Sequence, residues 1–299
     1  MNTLLSVSIA LLAGLLMTRL FKPVNLPAVT AYLIAGVLIG PYCLGALGFN
    51  SIGFNSMEQV SSLGLVSQIS LGFIAFSIGS EFKLEELKHI GKQAVTIGVF
   101  QAITATILVD AALLMVHLLI PDKLTLAQLI TLGAIATATA PAATLMVVRQ
   151  YKAKGPLTNL LLPIVALDDA VGLIVFAVCF GIARTLVSGT IDIISIFINP
   201  LLEIIGSLLL GAIMGWILTN IEKLFNSNTN RLNMTIALVA FATALSSLKF
   251  EIGALHIGFS PLLVCMMLGT IFCNICPLAD DLMEASDKWT SPLFALFFV

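Results

Sequence analysis

The sequence predicts an all-α polytopic membrane protein, and three observations carry that prediction. Hydrophobic residues make up 59% of the 299-residue chain, charged residues only 10%, and mean hydropathy is +1.08. A soluble domain carries roughly a quarter of its residues as charge. Apolar runs of membrane-crossing length recur along the whole chain, and basic residues gather on alternate connections between them. The net charge of −2 offers no basic surface to nucleic acid. The lipid bilayer is the expected partner instead.

In chain order, the apolar runs give about nine complete spans and a partial tenth, placed near 3–21, 27–47, 60–80, 93–120, 125–149, 157–183, 200–221, 232–249, 257–275 and 290–299. The first has no basic n-region and no small-residue cleavage site, so it reads as a retained helix rather than a signal peptide. The connections are short, and none holds a soluble domain. With the N-terminus outside, the inside connections collect eleven of the fourteen basic residues, among them Arg19, Lys83, Arg149, Lys152 and Arg231. Only Lys123, Arg184 and Lys249 fall outside. That bias follows the positive-inside rule, and a multi-pass protein of a prokaryotic inner membrane is the expectation. The run EFKLEELKHIGK (81–92) reads as a short amphipathic connector with a solvated charged face. The lone CxxC, Cys273 to Cys276, reads as buried small residues at a span end rather than redox or metal ligands.

The stretch LPIVALDDAVGLIVFA (162–177) breaks the apolar pattern. Between Lys154 and Arg184, Asp168 and Asp169 are the only charged residues, and they lie at the middle of that run. Each ionised acid at a helix centre costs about 2.5–3.5 kcal/mol on insertion scales. At about 5.5 Å and an effective dielectric of 20, the two repel by roughly 3 kcal/mol. Neighbouring positions on a helix also point about 100° apart, so the carboxyls see different surroundings. Such a pair can hold a proton or a cation in turn, which is the chemistry of exchange. A structural pair satisfied by neighbouring helices is the alternative. Two acids at one midplane favour function.

The preceding span, TLGAIATATAPAATLMVVRQ (131–150), has a poor helix centre. Pro141 lacks an N–H and its ring clashes with the carbonyl four residues back, at Thr137. Thr137 and Thr139 add hydroxyls and little helix preference. A simple proline kink would account for this segment alone. Followed one span later by a midplane acid pair, it is expected to be a broken helix beside an ion site, because freed backbone groups need polar company in a bilayer. Asp110 and Gln101 in the 93–120 span are further polar candidates, for helix packing or for lining an aqueous funnel. Glu203 reads as interfacial. His89, His117 and His256 sit near connections without metal-ligand spacing. The sequence holds no Walker motif, GxGxxG loop or nucleophile elbow, so an enzyme is not expected and no resident cofactor is expected.

Two segments resemble each other. LPAVTAYLIAGVLIGP (26–41) and FSPLLVCMMLGTIFCN (259–274) each carry a proline near the start and a glycine eight or nine residues later, Pro27 to Gly36 and Pro261 to Gly269. The following segments, LGFIAFSIG (71–79) and PLFALFFV (292–299), share a phenylalanine-rich core. The paired segments run in opposite directions across the membrane, as an inverted repeat requires. The second copy reaches Val299 inside its second span, so the chain is expected to be a C-terminally truncated form, not competent for exchange by itself.

Together LPAVTAYLIAGVLIGP, TATAPAAT, ALDDAVGL and FSPLLVCMMLGTIF resemble the monovalent cation:proton antiporters, the sodium/proton antiporter and potassium-efflux group, over nearly the whole chain. The resemblance implies an inverted-repeat antiporter fold with a discontinuous helix. It implies scaffold and dimerisation helices at 1–92 and the first half of an ion-binding core at 93–184. A linker helix and second scaffold half would follow at 185–299, with the second core half missing. By resemblance, Asp169 is the principal cation and proton carrier and Asp168 its partner, with Thr137, Thr139 and Pro141 at the first helix crossing. A homodimer is implied. The expected function is exchange of Na⁺ or K⁺ for H⁺ by alternating access, cation and proton competing at the aspartates. A sodium-coupled solute symporter of related architecture, or a non-transporting sensor or channel, is the alternative.

Overall fold

Twelve α-helices follow one another among the described residues of the computed structural model: α1 (Thr3–Phe21), α2 (Ala28–Ile39), α3 (Met57–Ser61), α4 (Gly64–Ser80), α5 (Leu84–Leu119), α6 (Leu126–Ile135), α7 (Pro141–Gln150), α8 (Pro156–Ser188), α9 (Asn199–Glu222), α10 (Asn228–Ser246), α11 (Pro261–Ile275) and α12 (Ala279–Phe298). The described residues are 3–24, 26–48, 53–80, 82–120, 124–139, 141–188, 198–248, 250–252 and 255–299. A small hairpin, β1 (Phe250–Ile252) paired antiparallel with β2 (Leu255–Ile257), precedes α11. Among the described residues, α1, α5 and α9 contain segments long and apolar enough to cross a bilayer by length and composition. Shorter apolar helices include α2, α4, α6 and α11.

Helix ends depart from the apolar runs for identifiable reasons. The 27–47 run is helical only to Ile39. Gly40 takes an extended conformation (ψ 167°) before Pro41, as the clash of a proline ring with the preceding residue demands. The 93–120 run extends backwards, because the charged 81–92 segment continues it as helix from Leu84. Its Leu, Glu and Lys residues are good helix formers. The resulting 36-residue helix is roughly 54 Å long, well beyond a hydrocarbon core of about 30 Å. Likewise α12 begins at Ala279 rather than near 290, with Asp280 and Asp281 in its first turn, where acids complement the helix dipole. Good caps fix other starts. Thr125 and Gln128 form a reciprocal capping box on α6. The Ser260 hydroxyl accepts from the Leu263 N–H at the start of α11, with Pro261 in the first helical position.

The main apolar core lies between α4, α9, α10, α11 and α12, around Phe73, Phe76, Leu218, Val239, Leu268 and Phe272. α5, α6 and α8 pack on one another, and α7 touches both groups, with α8 on one side and α2 and α4 on the other. The inverted repeat is visible in the packing. α2 packs against α12, and α11 against α4. Exchanging α2 with α11 and α4 with α12 maps one contact onto the other. The two matched glycines stand at these crossings. A Cβ on Gly269 would lie 2.2 Å from the Phe76 carbonyl oxygen, and one on Gly36 2.0 Å from that of Val299.

Contacts between connections sort the helix ends onto two faces. On one face the Gln150 Oε1 accepts from the Ala28 N–H (2.7 Å), Asn274 Oδ1 from the Leu84 N–H (2.9 Å), and Lys83 pairs with Asp280 (3.2 Å). On the other, Gln68 bonds Ser247, and the Ser260 N–H donates to the Ser207 hydroxyl (2.8 Å). The first face carries Lys83, Arg149, Lys152 and Lys154, and is called the basic face below.

Candidate functional site

The site is built at the gap between α6 and α7. α6 ends in a tightened turn, in which the Ala136 and Thr137 N–H groups reach back to Gly133 and Ala134. In an unbroken helix the Thr139 N–H would bond the Ile135 carbonyl. Here it donates to Asp168 Oδ2 on α8, at 2.9 Å. α7 then restarts at Pro141, a first-turn position where the missing N–H costs nothing. The side chain of Pro141 lies outside the described residues.

Asp168 is fully buried, at 0% exposure. Its Oδ2 also accepts from the Gln101 side-chain amide on α5 (3.4 Å). Among the described residues its Oδ1 has no hydrogen-bond partner. One oxygen is therefore fixed by the broken backbone, while the other is buried and uncommitted. Thr137 is also buried, and its hydroxyl donates to the Ala134 carbonyl (2.8 Å). Across from it stands Gly172 of α8, where a Cβ would come within 3.1 Å of the Thr137 oxygen. A cavity of about 330 Å³ adjoins the gap, lined by Thr137, Ala138, Gly172, Phe176, Ser260 and Leu263. Since α6 and the start of α11 both lead to the non-basic face, this cavity lies on that side of the break.

The structure thus brings together Gln101, the Thr139 backbone and Asp168, with Thr137 beside them. Asp169 is the next residue of α8, and its side chain lies outside the described residues. Asp110 is elsewhere. It sits nine residues beyond Gln101 on α5, about 13 Å further along the helix axis, tight against Gly133, with Oδ1 buried and unpartnered among the described residues. Pro163 lies inside α8, five residues before Asp168. It frees the Asn159 carbonyl, a second helix irregularity near the acids.

Other polar groups emerge only from the fold. Arg149 at the end of α7 pairs with Asp287 of α12 at 2.8 Å, and the buried Ser77 of α4 donates to the same carboxylate oxygen at 2.8 Å. Glu222, at the end of α9, is 2% exposed and accepts from the Thr235 hydroxyl (2.8 Å). Ser77, Arg149 and Asp287 lie far apart in sequence.

The site lies in a polytopic helical membrane protein with a discontinuous helix and a buried acid at the break, and comparison with known proteins places the chain in a family. Residues 7–299 match the family described as sodium/hydrogen exchanger, transmembrane, and the chain belongs to it. Among characterised relatives, it is 30% identical over 94 residues to Cation/H(+) antiporter 17 of Arabidopsis thaliana, covering 31% of this chain and 12% of that protein. It is 36% identical over 83 residues to K(+) efflux antiporter 5 of the same plant, covering 28% of this chain and 13% of that protein. The chain therefore matches only a small part of these longer relatives. Its fold is that of the sodium proton antiporter MjNhaP1 from Methanocaldococcus jannaschii solved at pH 8, with a TM-score of 0.68 and 20% identity over 99% of this chain and 69% of that one.

Proposed function

We propose that this chain contributes to exchange of a monovalent cation, Na⁺ or K⁺, for H⁺ across a membrane, with both ions competing at Asp168 and Asp169 and the site opening alternately to each face. The observation that carries this reading is the buried Oδ1 of Asp168, without a hydrogen-bond partner among the described residues, beside a helix break. A hard cation prefers oxygen donors, and the buried carboxylate supplies one. Asp168 also anchors the break through Oδ2, so a change in what its carboxyl holds is felt directly by the backbone at Thr139. The resemblance to the cation:proton antiporters makes Asp169 the principal carrier and Asp168 its partner. Membership of an exchanger family and likeness to cation/proton antiporters support the same reading.

The test is ion flux in vesicles containing the full-length protein. Asp169→Asn should abolish cation-driven dissipation of a pH gradient, because the amide keeps the shape but exchanges no proton. Asp168→Asn should cripple flux or alter its charge stoichiometry. Full activity in Asp169→Asn would refute the shared-site assignment.

A further inference from the structure

We propose that Arg149, Asp287 and Ser77 form a latch that holds the second half of the discontinuous helix against α4 and α12, and that this latch must open before the Asp168 site can be reached from the basic face. The proposal rests on the alternating-access reading above and assigns the contact that closes one side.

α7 is a ten-residue rod, about 15 Å long, with the break at one end and the latch at the other. Arg149 and Asp287 are only partly exposed, at 26% and 31% of their side-chain areas. Ser77, fully inside α4, fixes the Asp287 oxygen that Arg149 grips. One residue on, Gln150 caps the first turn of α2, whose own cap residue, Pro27, offers no side-chain hydrogen bond. One turn before the latch, Leu145 is buried in the main core with Met146 packed against it. The end of α7 is therefore tied to three helices outside the α5–α6–α8 group.

The cavity beside the break lies on the opposite side. In this arrangement the site has space toward the non-basic face and a polar closure with an apolar plug toward the basic one. A helix this short transmits displacement from one end to the other. Releasing Arg149 would let α7 swing with α8, to which it also packs, and part the seam against α4 and α12. An ion pair steadied by a hydroxyl is suited to that task. It specifies one closed geometry, yet its loss leaves groups that water at the basic face can solvate.

The experiment measures access rather than transport, so it can fail independently of the ion-exchange reading. In a cysteine-free background of the full-length protein, Ala138→Cys, at the cavity wall, is labelled with a membrane-impermeant thiol reagent applied from the basic face. Arg149→Met or Asp287→Asn should speed labelling about fivefold, equivalent to about 1 kcal/mol for a partly exposed pair. The reciprocal exchange, Arg149→Asp with Asp287→Arg, should slow it again. Labelling at the parent rate in both neutralised variants would overturn the latch. As a second measurement, a short reversible thiol cross-linker joining Arg149→Cys to Asp287→Cys should block cation flux until reduced. Undiminished flux in the cross-linked protein would equally overturn it. Loss of the ion-exchange reading would show instead as normal flux in Asp169→Asn.

Discussion

A methyl group at position 269 would sit 2.2 Å from the Phe76 carbonyl oxygen, and one at position 36 2.0 Å from that of Val299. At Gly269, α11 and α4 thus approach so closely that only glycine fits, a common device where membrane helices cross. Gly269→Val should cost about 1–3 kcal/mol of stability, the range for overpacking a tight contact, read as a lowered midpoint of thermal unfolding in detergent. An unchanged midpoint would mean the crossing is loose. Both glycines were legible in the sequence as the matched positions of two similar segments, although their spacing alone did not say that backbone would lie against them. The acid pair was legible too, since no other charge interrupts 29 residues between Lys154 and Arg184. What Asp168 touches was not. Its bond to a backbone N–H depends on how α6 ends, which no side-chain pattern encodes.

At the scale of elements, the discontinuous helix stands out. Its gap was foreseen from Pro141 and the threonine-rich centre, and the structure ends α6 at Ile135 and restarts at Pro141. Thr139 contributes its backbone N–H to the Asp168 contact, so the two kinds of substitution there should separate. Thr139→Ala retains the donor and should keep Asp168 in place. Thr139→Pro removes it and leaves a buried carboxylate oxygen short of a partner, at a cost of about 1–3 kcal/mol. The comparison is thermal stability of the two variants, and equal stability would contradict the assigned contact. Element boundaries were the less legible part. Hydropathy marks where a helix meets lipid, not where it stops, so α5 and α12 extend through charged residues that apolar runs leave out. The Gly40–Pro41 pair stops α2 inside an apolar run for the opposite reason.

At the scale of the whole molecule, helix ends sort onto two faces, and the basic residues favour one of them. The expected orientation puts that face in the cytoplasm. Lys152→Cys, in the connection between α7 and α8, should therefore resist impermeant reagents applied outside intact cells and react in inverted membranes. Labelling from outside would reverse the topology. Long-range pairs such as Arg149–Asp287 were not legible, because one chain read in order does not reveal which span ends meet. The central claim is that a cation and a proton share one carboxylate site. Its most direct measurement is the apparent cation affinity of the full-length protein, followed from about pH 9 down to about pH 6. Mass action predicts that affinity weakens as pH falls, approaching about tenfold per pH unit once protons dominate the site, and that Asp169→Asn removes the dependence along with the flux. An affinity that stays flat across the range would contradict a shared site.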